Sequence, residues 1–141
     1  MNPRVRLIEN GVFLQDFSHF KDSETAHDAF RQARTLMELQ PRNGSVLVLT
    51  DVTGSTFNQA VIDEIRQLAV HHKPWVKASA LFGLTAIMRV ICRALLTLTG
   101  RDIKVFETRD QAMEYLGKFI SPASEAPASP QKPSVPPGGP R

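Results

Sequence analysis

The sequence predicts an α/β fold: a single domain with a mixed, mostly parallel β-sheet of about five strands and four α-helices. Two observations lead to this prediction. An opening β-hairpin is followed by helical and strand-like segments that alternate as far as residue 120, a pattern typical of strands joined by helical crossovers. The run from Val46 to Leu49 is apolar at every position, as expected of a parallel strand that is covered on both faces.

Each element has a local signal. Asn10-Gly11 tolerates positive φ between two short apolar runs and therefore predicts the hairpin turn. The predicted strands cover about residues 4–8, 11–16, 46–49, 76–82 and 103–106, and the predicted helices cover 23–39, 57–72, 85–99 and a segment after Thr108. The predicted helix caps are Asp22 or Ser23, a capping box of Thr56 with Gln59, Thr85, and a second capping box of Thr108 with Gln111.

The composition changes abruptly after Ile120. Seven of the ten prolines lie in residues 121–141, together with serine, alanine and glycine. Such a segment lacks the apolar surface whose burial would offset the entropy lost on ordering. We therefore predict a domain over residues 1–120 and a disordered Pro/Ser/Ala-rich tail over 121–141. The alternative role for the tail is a polyproline recognition motif.

Bulk properties exclude several classes of protein. The chain has 42% hydrophobic and 22% charged residues, and its net charge of +3 with a pI near 9.4 does not by itself indicate nucleic-acid binding. Cys92 is the one cysteine, which excludes an intramolecular disulfide and a thiolate metal cluster. No apolar run resembles a signal peptide or reaches the ~20 residues of a transmembrane segment, so we expect a bacterial, cytoplasmic protein.

The order of elements resembles the STAS domain, the fold of anti-sigma-factor antagonists of the SpoIIAA type. Ser45–Asp51 is similar to the central strand of that family, which also ends in an acidic residue. Gly100–Phe106, followed by a charged helix, is similar to its last strand and helix. Lys73–Ala80, with Gly83–Thr85 and Thr99–Arg101, resembles a group of bacterial SpoIIAA-like proteins.

This resemblance covers about residues 5–120 and implies a protein-interaction or signalling module. Antagonists of this type carry an Asp-Ser-Ser-Gly motif at the start of the second helix, where a partner kinase phosphorylates one serine. The nearest string here is Asp-Val-Thr-Gly-Ser, which begins at Asp51. Alignment by this motif places Thr53 on the phosphorylated serine, whereas alignment by the strand end places Phe57-Asn58 there, where neither side chain has a hydroxyl.

The loop that follows the central strand is the first candidate site. It places hydroxyl groups between a strand end and a helix N-terminus, where ligands and anions bind in open α/β sheets. The candidate regulatory or anion-binding residues are Asp51, Thr53, Gly54, Ser55 and Thr56. The alternative is that these residues only cap the helix and order the turn, because caps and turns select the same residue types.

The third predicted helix is the second candidate site. It is apolar nearly all round, whereas a surface helix of a small domain should carry a single apolar stripe. The excess predicts a partner surface, a homodimer contact or an apolar ligand site, and the alternative is deep packing in the core. The candidate partner surface consists of Thr85, Arg89, Arg93 and Arg101.

The charge distribution around this helix is uneven. No acidic residue lies between Glu64 and Asp102. The basic residues in this stretch are Arg66, Lys73, Lys77, Arg89, Arg93 and Arg101. Together they would attract an acidic protein, an anionic lipid surface or a phosphate ligand, and the alternative is that they point into solvent from different faces.

The residue pattern does not favour catalysis. His71 and His72 are adjacent, so on a helix they point about 100° apart, whereas a helical metal pair prefers a spacing of four. Cys92 lies in an apolar helix, where burial raises the pKa of a thiol and lowers its reactivity. We therefore predict no cofactor, no metal and no enzymatic activity.

The favoured function is a signalling module with a protein partner, similar to anti-sigma-factor antagonists and regulated at the Thr/Ser loop. Self-association through the third helix would make it a homodimer. The alternative function is a carrier or sensor of a small anionic or lipid-like molecule, and an enzyme is the least favoured class. Nucleic acid is not an expected partner, because recognised binding motifs are absent.

Overall fold

The computed structural model describes residues 3–97 and 103–120. These residues form five strands and four helices in the predicted order. The strands are β1 (Val5–Leu7), β2 (Phe13–Asp16), β3 (Val46–Asp51), β4 (Val76–Phe82) and β5 (Ile103–Phe106). The helices are α1 (Ser23–Glu38), α2 (Gln59–His72), α3 (Ala86–Thr97) and α4 (Arg109–Gly117). The predicted tail, residues 121–141, lies outside the described residues.

The sheet is mixed and mostly parallel, which confirms the predicted fold class. Its strand order is β1-β2-β3-β4-β5, with β1 antiparallel to β2 and every later pair parallel. Because right-handed crossovers that step in one direction place their helices on the same side, α1, α2 and α3 share one face of the sheet. Helix α4 follows the last strand and packs on the opposite face.

The core lies on both faces of β3. Val46 and Val48 pack towards α1 and α2, while Leu47 and Leu49 pack towards α4. All four side chains are buried, as the uninterrupted apolar run predicts. The strand is therefore the centre of the domain, and its carboxyl end positions the candidate loop that follows it.

The predicted hairpin is confirmed, but its turn is longer than the Asn-Gly pair alone. Leu7 pairs with Phe13, so five residues, 8–12, connect the strands. Asn10 and Gly11 have φ values of 62° and 74°, the left-handed conformation that the sequence predicts for them. The two strands are correspondingly shorter than the ranges predicted.

Helix capping confirms three predictions and corrects one. Asp22 caps α1, Thr85 accepts a hydrogen bond from the Met88 N–H at the start of α3, and Thr108 forms a capping box with Gln111 in α4. The predicted Thr56–Gln59 capping box is wrong. The N-cap of α2 is instead Asn58, whose Oδ1 accepts a hydrogen bond from the Val61 N–H at 2.9 Å, so α2 begins at Gln59 rather than at residue 57.

Candidate functional site

The carboxyl ends of the parallel strands form one edge of the sheet, and the candidate loop begins there. Asp16, Asp51, Phe82 and Phe106 end the four parallel strands side by side. The loop turns sharply after Asp51, whose Oδ1 accepts a hydrogen bond from the Thr53 N–H at 2.9 Å. This is an Asx turn, so the Asp51 carboxylate has an ordering role in the loop.

Two of the three hydroxyl groups of the loop, those of Ser55 and Thr56, form hydrogen bonds with the segment that follows β2. Ser55 Oγ accepts from the Phe20 N–H at 2.8 Å and donates to the Phe17 carbonyl at 2.5 Å. Thr56 Oγ1 donates to the Phe20 carbonyl at 3.3 Å. This contact explains the failed capping box, because the hydroxyl expected to cap α2 is directed to another segment. By contrast, the Thr53 side chain is exposed.

A glycine brings this loop against the start of α3. Gly83, the residue after β4, has a φ of 99°, and a Cβ added to it would lie 2.7 Å from the Thr53 nitrogen. The Val52 N–H also donates to the Phe82 carbonyl at 3.0 Å. The structure therefore joins the Asp51–Thr56 loop to the segment that leads to Thr85, although sequence reasoning treated them as separate sites.

The basic residues of the candidate partner surface occupy different environments. Arg89 is half-buried and lies 3.7 Å from the Glu107 carboxylate, while its Nε is buried and lacks a hydrogen-bond partner among the described residues. Arg93 is exposed. Arg101 lies outside the described residues, so its place in the predicted surface stays a prediction.

The first turns of α3 expose two large apolar side chains. Ile87 is 74% exposed and Val90 is 70% exposed, and the two are three positions apart, so they share a face of the helix. On its inner side Met88 and Cys92 face the sheet and α2 across a cavity. Burial raises the pKa of the Cys92 thiol, the direction expected from the sequence.

The cavity beneath α3 has a volume of about 70 Å³. The cavity therefore exceeds the minimum of about 10–15 Å³ that one water molecule needs. Apolar side chains from the sheet, α2 and α3 form most of the wall, among them Val48, Ile65, Leu68, Leu81 and Met88. Arg66 and four buried polar residues also line it, and the four are Gln15, Thr50, His72 and Ser79.

Three of these polar residues, His72, Gln15 and Thr50, belong to a hydrogen-bonded chain that runs from the surface to the cavity. At its outer end Glu38 Oε2 lies 2.8 Å from His71 Nε2. His71 Nδ1 lies 2.9 Å from His72 Nδ1, and His72 Nε2 lies 2.7 Å from Gln15 Oε1. At the inner end the Gln15 amide donates to Thr50 Oγ1 at 2.9 Å. We name this series the Glu38–Thr50 chain.

Aromatic rings support the middle of the chain. Trp75 stacks on His71 with 5.2 Å between ring centroids, and Phe13 meets the His72 ring edge-on at 6.0 Å. His72 is 1% exposed, so its ring is enclosed although it lies at the end of a helix. The adjacent histidines thus contact each other through Nδ1. Among the described residues, no three His, Cys, Asp or Glu side chains come together as a metal site.

Sequence reasoning missed the cavity and the chain, although one signal was present. Phe13 and Gln15 in β2 and Phe17 directly after it lie at alternate positions, so the strand period of two directs Gln15 to the same core face as the two rings. A polar side chain at such a position needs a buried partner. The partner could not be identified from the sequence, because His72 lies 57 residues away.

Comparison with known proteins identifies a family. A model of the SpoIIAA-like family matches residues 17–117, more than two thirds of the chain. No curated protein and no solved structure shows a significant match. In the part of the chain that the structure describes, none of the helices has both the length and the apolar character needed to cross a membrane. The five-stranded fold and the family match agree, and the chain belongs to the SpoIIAA-like family.

Proposed function

We propose that this protein is a non-catalytic interaction module that docks a protein partner on the outer face of α3. The observation that carries the proposal is the exposure of Ile87 and Val90, two large apolar side chains on one face of the helix. Apolar side chains exposed together are characteristic of interaction sites. Membership of the SpoIIAA-like family supports protein interaction as the general role, and domains of this family are generally non-catalytic.

The surroundings of this face favour a partner with an apolar patch and an acidic rim. Arg93 is exposed on the same helix, three positions after Val90. The sequence has no acidic residue from Arg66 to Arg101, so basic side chains outnumber acidic ones along this stretch, although Arg66 lies 3.8 Å from Asp63 and Arg89 lies 3.7 Å from Glu107. Two copies of such a face would repel each other, whereas an acidic partner would be attracted. We therefore favour a heterologous partner over a homodimer.

Regulation of this surface would act through Thr53. Its side chain is exposed, and its backbone adjoins Gly83 at the entrance to α3. A phosphate there would add up to two negative charges beside the docking face and would compete with an acidic partner. Ser55 is a poorer acceptor, because its hydroxyl already makes two hydrogen bonds within the fold.

The docking proposal is tested by Val90→Asp, with Leu39→Asp as the matched control. Leu39 is 75% exposed at the end of α1, so both substitutions place a carboxylate at an exposed apolar position. Once a partner has been identified in the native host, we expect Val90→Asp to raise its Kd at least tenfold, since burying one such side chain contributes about 1.5–3 kcal/mol. Leu39→Asp should leave the Kd unchanged.

Titration calorimetry with the purified partner measures this difference. Equal affinity of the partner for both variants would contradict docking on α3. Sedimentation velocity of the isolated protein tests the homodimer separately. A dimer that dissociates in Val90→Asp but not in Leu39→Asp would show that α3 binds a second copy of the chain rather than a different protein.

The cavity favours a second candidate function, the carriage of a small, mostly apolar molecule with one hydrogen-bonding group. Ligand sites are typically apolar concavities with a few placed polar groups, and this cavity has that composition. Its polar wall includes Thr50 and Ser79, which lie on neighbouring central strands. A ligand would contact these groups while its apolar part lies against α2 and α3.

The ketone 2-heptanone is a suitable probe for this function. Methyl signals of Leu68 and Leu81, which line the cavity, should shift on its addition in NMR spectra. Leu14 and Leu47 are internal controls, because they are buried on the opposite face of the sheet against α4. Absence of any shift at Leu68 and Leu81 up to the solubility limit of the probe, or equal shifts at the two controls, would refute a ligand site in the cavity.

A further inference from the structure

We propose that the Glu38–Thr50 chain is a proton-coupled switch: uptake of one proton at His71 reverses the hydrogen bonds from His71 to Thr50 and turns the Thr50 hydroxyl into a donor towards the cavity. The inference deepens the second candidate function, and it rests on that function only where it concerns a ligand. The chain itself follows from the distances and from the donors and acceptors that each group offers.

The distances allow a first arrangement, in which His71 carries an additional proton. The Gln15 amide nitrogen donates to Thr50, so Gln15 Oε1 faces His72 and accepts its Nε2–H. A neutral His72 then has a bare Nδ1, which must accept the Nδ1–H of His71. The other nitrogen of His71 faces the Glu38 carboxylate, which only accepts, and must therefore also carry a proton. His71 is an imidazolium in this arrangement.

Removal of that proton leaves a second arrangement in which every group is also satisfied. His71 keeps its Nε2–H on Glu38, and its Nδ1 now accepts the Nδ1–H of His72. The bare Nε2 of His72 accepts from the Gln15 amide, which has rotated by half a turn, and the Thr50 hydroxyl donates to Gln15 Oε1. His72 is neutral in both arrangements, and its single proton moves from Nε2 to Nδ1.

The two arrangements present different groups to the cavity. When His71 is protonated, Thr50 accepts from Gln15 and its O–H is directed to other partners, including a ligand. When His71 is neutral, the O–H is used by Gln15 and Thr50 offers only lone pairs. The proton is exchanged with solvent at His71, whose side chain is 18% exposed, while the polarity changes at Thr50, which is 8% exposed.

The charges around the pair are consistent with proton uptake at His71. Glu38 from α1 is the charged group in direct contact with His71. Arg42 lies behind the Trp75 ring at 5.4 Å, Lys73 follows His72 at the end of α2, and Arg66 and Cys92 line the cavity. Histidine is the side chain that ordinarily changes charge between about pH 5 and 8, so this is the interval in which the switch is tested.

Long-range ¹H–¹⁵N NMR of the histidine rings in the ligand-free protein tests the switch. As the pH falls from about 8.5 to 5, His71 should become doubly protonated while His72 stays neutral and changes from the Nδ1–H to the Nε2–H tautomer at the same pH. The side-chain amide of Gln15 should shift with the same midpoint. A His72 ring that keeps one tautomer while His71 titrates, or that itself becomes doubly protonated, would overturn the inference.

A pair of exposed substitutions on α1 tests the solvent end. Glu38→Gln removes the anion beside His71 and should lower the midpoint by roughly a few tenths of a pH unit, the range set by weak exposed ion pairs. Glu24→Gln, at the opposite end of α1, should leave it unchanged. Equal midpoints in both variants would contradict the role of Glu38.

Binding of 2-heptanone links the switch to the cavity. This ketone only accepts hydrogen bonds, so it should bind about three- to tenfold more tightly below the midpoint than above it, the range expected for one net hydrogen bond. Thr50→Val, which removes the hydroxyl but keeps the shape, should abolish this pH dependence. Equal affinity on both sides of the midpoint in the native protein would refute the coupling. A ketone that binds at neither pH would refute the carrier function, while the tautomer measurement still decides the switch.

Discussion

Replacement of Gly83 by alanine should destabilise the domain because two segments meet at that residue. The φ of 99° lies in the region that L-residues avoid, and an added Cβ would lie 2.7 Å from the Thr53 nitrogen and 2.9 Å from its Cα. The nearest atom to the added Cβ is the Thr53 side-chain Oγ1, but these two contacts are with backbone, which cannot move aside as a flexible side chain can. Relief therefore requires the Asp51–Thr56 loop to shift away from the end of β4.

The expected loss combines two effects. The unfavourable φ costs an alanine about 1–2 kcal/mol, and forcing a methyl group into occupied space costs about 1–3 kcal/mol. Alanine also reduces the entropy of the unfolded chain, which offsets about 0.4–1 kcal/mol. We therefore expect Gly83→Ala to lower the free energy of unfolding by about 2–4 kcal/mol.

Urea unfolding followed by circular dichroism provides the assay, with Gly44→Ala as the control. Gly44 also has a positive φ, 69°, but no heavy atom lies within 4 Å of an added Cβ. The control should lose only about 1 kcal/mol, so the unfolding midpoint of Gly83→Ala should lie about 0.5–2 M urea lower than that of the control. Equal midpoints would show that the close approach to Thr53 does not constrain the loop.

Three further predictions concern the cap, the loop and the thiol. Ser55→Ala removes two hydrogen bonds and should lower the free energy of unfolding in urea by about 1–3 kcal/mol. The control Thr53→Ala, at an exposed position, should change it by less than about 0.5 kcal/mol. Equal losses in the two variants would contradict the structural role of Ser55. The pKa of Asp22 is lowered from its ordinary 3.8, first by the hydrogen bond from the Thr25 backbone. The Asp22 carboxylate therefore contributes to the free energy of unfolding above its pKa in the unfolded chain, and this contribution is lost as the pH falls through its lower pKa in the folded protein. Thermal unfolding between about pH 5 and 2 should therefore show a smaller loss of stability for Asp22→Asn than for the native protein, and parallel losses would refute this linkage. Since burial raises the pKa of Cys92, the thiol should react with a disulfide reagent at pH ~7.5 more slowly in the folded protein than in urea, and equal rates would contradict its burial.

Local signals predicted most of the fold. The apolar run of β3, the Asn-Gly turn and the Thr108–Gln111 capping box depend on neighbouring residues, and all three are confirmed. The predicted start of α2 was wrong because Thr56 and Asn58 are both good N-cap residues. A tertiary contact, the hydrogen bond from Thr56 to Phe20, decided between them.

The candidate site was harder to predict because its contacts are distant in the sequence. The Asp51–Thr56 loop could be placed at the end of β3, but the partners of Ser55 lie 35 and 38 residues away. The exposure of Ile87 and Val90 was also hidden, since a helix that is apolar all round gives no indication of which side faces solvent. Regulation at Thr53 and partner contact at Arg101 stay predictions.

The strand order has a consequence for how the chain folds. Each strand pairs with the next one in sequence, so the paired residues Phe13 and Val48 are 35 positions apart, and Ser79 and Ile103 are 24 apart. The entropy lost in closing loops of this length is only slightly larger than for a connection just long enough to contain a helix, and no strand pair joins the first strand to the last. Folding can therefore extend outwards from β3 one crossover at a time.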